Sequence, residues 1–156
     1  MKILHTRFLA MTVLLISATA QASGGGGEVL TASNPKWKNE CGACHIAYPA
    51  RLLPASAWKT VMAGLDKHFG TDASIDKASA TEIQAFLEKN ASQRKFEATP
   101  RPLLRITETR WFQNAHDEVS AGTWKNPKVK GPANCAACHT RADTGDFNEH
   151  NIRIPR

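Results

Sequence analysis

Cysteine occurs at only four of 156 positions, and all four lie in two pentapeptides, Cys41-Gly42-Ala43-Cys44-His45 and Cys135-Ala136-Ala137-Cys138-His139. Any cysteine chemistry therefore belongs to those two places. No segment alternates apolar and polar residues long enough to read as a strand, which points to an all-α chain. The longest apolar run, Phe8 to Ile16, is too short to span a bilayer. Methionine is scarce, at Met1, Met11 and Met62, and only six histidines are present. Aromatic residues make up 7%, while ten glycines and eight prolines imply many turns. Charge is mildly basic, at +6. Of that excess, +2 comes from Lys2 and Arg7 and the remaining +4 lies after residue 90: Ser23 to Asn90 balances seven basic against seven acidic residues, whereas Ala91 to Arg156 has eleven against seven. That pattern makes nucleic acid a poor partner and an acidic protein surface a better one.

Each CxxC is followed at once by histidine, the attachment pattern of c-type haem. Two thiols three positions apart lie on one side of a helical turn and can add to the two vinyl groups of a porphyrin. The adjacent imidazole then reaches the iron as its proximal ligand. The expectation is two covalently bound haem c groups, held by Cys41 and Cys44 and by Cys135 and Cys138, with His45 and His139 on the irons. A single four-cysteine zinc site is the bland alternative. It would need to join pairs about 90 residues apart and leaves both histidines unexplained. A thioredoxin-like redox motif would need a βαβ frame that neither copy has.

Residues 1–22 read as a secretory signal, with Lys2 and Arg7 before the apolar core and Ala20-Gln21-Ala22 as the cleavage site. Its removal leaves a chain of net charge +4, read as exported to the periplasm and not membrane-spanning. Residues 23–90 read as a first haem domain. Asn34-Pro35 precedes a short helix or turn before Cys41. Ser56 opens a helix in which Trp58, Val61, Met62, Leu65 and Phe69 form one stripe closed by Gly70. Ser79-Ala80-Thr81-Glu82 reads as a capping box opening a helix that ends near Asn90 and turns Ile83, Phe86 and Leu87 inward. That outline is a small class I cytochrome c-like domain. Residues 91–109, with Pro100 and Pro102, read as a linker, and 110–156 as a less regular second haem c domain. There Thr107 or Thr109 starts a helix with Phe112, Ala115, His116 and Val119 on one face, and a polar, mobile tail follows His139.

Two irons have four axial positions. After His45 and His139, the exported chain offers His68, His116, His150 and Met62. On a continuous helix Met62 and His68 stand about 120° apart, so one haem cannot take both. His68 is preferred, beside Gly64 and near the helix end, and Met62 is left to the core. For the second iron His116 is preferred over His150, because its helix also supplies pocket walls.

The chain resembles the bacterial dihaem cytochrome c family through Glu40 to Pro49, Leu52-Leu53-Pro54, Met62 to Leu65, His68-Phe69-Gly70, Arg110-Trp111, His116 to Val119, Asn134 to His139 and Ile152 to Arg156. The resemblance implies bis-histidine irons of low potential and an electron carrier, not an enzyme. It also implies redox partners such as a membrane cytochrome b and a small oxygen-binding cytochrome c. It does not settle His116 against His150. The rival reading is a haem enzyme or gas sensor with one five-coordinate iron that binds peroxide, nitric oxide or carbon monoxide.

Overall fold

The computed structural model describes residue 30, residues 32–96 and residues 102–156; the signal segment and Pro100 lie outside them. Among the described residues the chain is helical and has no strand, only isolated bridges.

The first helix, α1 (Pro35–Gly42), starts where the sequence suggests: the Asn34 side chain accepts the Trp37 backbone N–H at 2.9 Å, and Pro35 fills the first turn, where a missing donor costs nothing. It ends between the first two cysteines. The second helix, α2 (Ala55–Ala63), stops earlier than its apolar stripe predicts. Gly64 takes φ −121° and donates to Val61, and the chain tightens into a 3-10 turn over Leu65–Lys67. Glycine is a weak helix former, and here it ends the helix. Consequently Leu65 reaches the core by another route, and Phe69 leaves it altogether, 46% exposed. The third helix, α3 (Lys77–Lys89), begins two residues before the expected capping box. Asp76 is the cap instead, accepting the Ala78 and Ser79 N–H groups at 2.9 and 3.0 Å. A carboxylate there also faces the positive helix end. Glu82 is thereby free to bind Lys36 and Asn34, joining α3 to α1.

These helices enclose the main core: Trp37, Ala50, Leu53, Ala57, Trp58, Met62, Ile83, Leu87 and Ala91. Trp58 donates its indole N–H to the Ala50 carbonyl at 2.6 Å, so its polar atom is satisfied inside. Phe86 meets Trp37 at 5.3 Å, which packs α3 against α1.

The chain from 91 onward stays close to this core. Ser92 donates to the Leu53 carbonyl at 2.9 Å, and Leu104 and Ile106 pack on the apolar cluster. Thr109 caps α4 (Arg110–Ala115), which is shorter than expected. The helix ends at His116, so Ala115 is exposed and Val119 lies in the following turn. A single turn of helix, α5 (Ala121–Lys125), and a series of 3-10 turns complete the chain. The tail is not the mobile segment expected. Arg153 donates its backbone N–H to Cys138 at 2.8 Å, Thr140 donates to Asn151, and the last residues run beside the second cysteine pair.

Gly145 closes the molecule. It has φ +76°, its carbonyl accepts the Leu30 N–H at 2.9 Å, and a Cβ there would collide with the Leu30 carbonyl. Gly145→Ala should therefore destabilise the holoprotein by about 1–3 kcal/mol. Gly122, in α5, has an ordinary φ and only the Ser120 hydroxyl within reach of a Cβ, at 3.6 Å, so Gly122→Ala should be close to neutral. Thermal unfolding of the two variants side by side checks the contrast.

Candidate functional site

Both CxxCH copies lie where a helix or 3-10 turn ends. Cys41 is in the last turn of α1 and Cys44 just beyond it; Cys135 opens a 3-10 turn that Cys138 closes. None of the four is paired in a disulfide. Burial pushes Cys41 up to about 11, with Glu40 adding to it, and burial also pushes Cys135 up to about 11. They are protonated thiols near neutrality. The zinc alternative needs four converging thiolates, and among the described residues no three His, Cys, Asp or Glu side chains converge to hold an ion.

Each CxxCH histidine faces one other imidazole. His45 and His68 have ring centres 6.3 Å apart with planes 26° from parallel; His116 and His139 have centres 6.1 Å apart with planes at 74°. An iron bonded at about 2 Å to one nitrogen of each ring would set the centres about 6.2 Å apart. The two pairs thus have the spacing that a haem iron between them requires. One ring of each pair is oriented by its Nδ1: His45 against the Ile46 carbonyl at 2.6 Å, and His116 against the Phe112 carbonyl at 2.9 Å. With Nδ1 donating, Nε2 keeps its lone pair for a metal. His68 is held below the usual imidazole range by burial, then by His45 and Arg105, and His139 by burial, then by His116. Both are therefore in the neutral form that metals bind.

The surroundings fit a large flat group. A cavity of about 1270 Å³ lies between His116 and His139, walled by Trp111, Phe112, Trp124, Phe147, Cys135 and Cys138. Phe112 stacks on His116 at 4.0 Å, and Phe147 meets His139 edge-on at 5.2 Å. Among the described residues two buried side-chain nitrogens have no hydrogen-bond partner, Trp111 Nε1 and His139 Nδ1, and both residues line this cavity. In a finished protein such donors are normally satisfied, so an acceptor belongs beside Trp111. His150 sits on an exposed 3-10 turn, and Met62 is buried in the core. The 120° argument about Met62 and His68 lapses, because no continuous helix joins them.

A dihaem cytochrome c family profile matches residues 37–147. The chain belongs to the dihaem cytochrome c family. It is similar to the solved dihaem cytochrome c from Rhodobacter sphaeroides, with 42% identity over 75% of this chain and 98% of that one and a TM-score of 0.69. A second structure from that organism shares 46% identity over 74% and 97%, with a TM-score of 0.65. The dihaem type c cytochrome of Shewanella baltica shares 39% over 78% and 93%, with a TM-score of 0.69. No curated protein matches. As a dihaem cytochrome it carries two covalently attached haem c groups and is an electron-transfer haemoprotein.

The aromatic walls Trp111, Trp124 and Phe147 carried no local sign of their role; only the Arg110-Trp111 string in the family resemblance touched them. Tyr48 was similarly visible only within the Glu40 to Pro49 string of the family resemblance. It stacks on His45 at 4.5 Å, and its hydroxyl donates to the Ala133 carbonyl at 2.6 Å, two residues before Cys135. Burial, and secondarily the Cys135 charge, pushes its phenol up to about 12. Cys135 loses that charge once it is a thioether, so burial is the cause that persists. A raised phenol keeps its proton in the fold, so the link is whole below about pH 10, the ordinary tyrosine value, and is lost as pH rises toward about 12. Tyr48→Phe should keep the stacking, cost about 0.5–1.5 kcal/mol near neutrality, and flatten the alkaline fall in stability. Urea titrations from pH 7 to 11 read both effects.

Proposed function

We propose that this dihaem cytochrome is an exported, periplasmic electron carrier with two six-coordinate centres, His45 with His68 and His139 with His116. The observation that carries the reading is that both imidazole pairs stand 6.1–6.3 Å apart, each pairing a CxxCH histidine with one distant in sequence. Each haem c, when bound, supplies an iron that changes oxidation state by one electron.

The chain's own contribution is to occupy and shield. His68 and His116 fill the positions that a five-coordinate enzyme or sensor leaves open, so the rival reading has no vacant site to use. The Phe112 and Ile46 carbonyls hold His116 and His45 in the metal-binding tautomer. Trp111, Trp124 and Phe147 keep water from the second centre, and the Trp111 indole N–H is available to a propionate. The division into residues 23–90 and 110–156, one centre each, belongs to this proposal. So do the partners, a membrane cytochrome b on one side and a small oxygen-binding cytochrome c on the other. The basic balance of the second half suits an acidic partner surface.

His116→Ala should give one high-spin, carbon monoxide-binding haem, while His150→Ala keeps the low-spin spectrum. Visible spectra with and without carbon monoxide decide; the reverse pattern would exchange the two histidines. Ring orientation gives an independent expectation. Near-parallel and near-perpendicular ligand planes split the iron orbitals differently, so the oxidised protein should show two distinct low-spin ferric resonances. One should be rhombic, and it alone should disappear in His68→Ala; the other should be strongly anisotropic. Electron paramagnetic resonance of both proteins reads this, and a single resonance of double intensity would contradict it.

A further inference from the structure

His68 leads into a tight turn whose two central residues, Phe69 and Gly70, have φ +50° and +100°, and Thr71 closes it by donating to the His68 carbonyl at 3.0 Å. Glycine adopts such a conformation freely, but phenylalanine does so only when surrounding contacts hold it there. Two contacts do. One edge of the Phe69 ring meets His68 at 4.8 Å and 61°, and the Arg105 guanidinium lies over its face at 4.1 Å. Arg105 comes from a segment far along the chain, and its neighbours Leu104 and Ile106 are packed on the core, so its backbone is fixed beside the turn. Its charge is only partly offset: Glu108 is 3.6 Å away, and both side chains are about half exposed.

We propose that Arg105, stacked on Phe69 beside His68, is a positioning residue that sets the reduction potential of the first haem centre above the value its two imidazoles alone would give. The inference rests on the reading of His68 as a ligand. Its physics is the sign of the charge change. Reduction removes one positive charge from the iron, so a nearby cation opposes the oxidised state more than the reduced one, and Glu108 acts in the opposite sense. Because the pair is water-exposed, the effect should weaken with salt.

The test is a spectroelectrochemical titration of the purified holoprotein at low salt and at about 0.5 M salt. His68→Ala first assigns the wave: the haem that becomes high-spin is the first one. Arg105→Gln should then shift that wave downward, a change of about three- to tenfold in its reduction equilibrium at low salt, and leave the other wave in place. Glu108→Gln should shift the same wave upward. Both shifts should shrink at high salt. A purely structural role would lower the melting temperature in either variant without opposite shifts in potential. The tuning role is overturned if neither variant moves the wave, if both move it the same way, or if the other haem responds. A low-spin spectrum in His68→Ala would overturn the ligand reading instead.

Discussion

Nine residues from Trp37 to Ala91 form one apolar cluster, whereas after Ala91 the buried apolar residues are only Phe112, Val129 and Ala142 among those described. A segment this short cannot bury enough of its own surface to offset the entropy of ordering it. It closes instead around a cavity lined by tryptophan and phenylalanine, whose size and apolar walls suit a porphyrin. The irregularity of the second half fits this: single turns and 3-10 pieces suffice where a large apolar group fills the centre of the fold.

The two halves are consequently not independent. Tyr48 bonds to Ala133, Ser92 to Leu53, Leu30 to Gly145, and Arg105 covers Phe69. Arg51 and Leu52 of the first part, and Arg94 just after it, also line the cavity of the second. Each link is modest, yet together they tie the segment around Cys41 to His45 to the segment around Cys135 to His139.

The two centres are built differently. In the first, the Nδ1 of the CxxCH histidine is oriented by a neighbouring carbonyl; in the second, the opposing histidine is oriented and His139 Nδ1 has no partner. The ring planes differ as well. One chain therefore offers two unequal histidine pairs, and the exposed Arg105–Phe69 contact stands beside His68 of the first.

The sequence alone determined the cofactor chemistry and the helical class, because CxxCH is local covalent chemistry: five consecutive residues contain both thiols and the ligand. It also placed Met62 in the core and singled out His68 and His116, the two imidazoles that face His45 and His139. The ends of helices were less legible. Asp76 displaced the Ser79 cap, Gly64 stopped α2, and α4 ended at His116, since each boundary depends on which competing hydrogen bond the packed chain satisfies. Only the tertiary structure decided that the tail is pinned to Cys138, that His150 stays outside, and that Phe69 is turned out beneath Arg105. Those outcomes rest on contacts between residues tens of positions apart, whose distances periodicity and spacing do not encode.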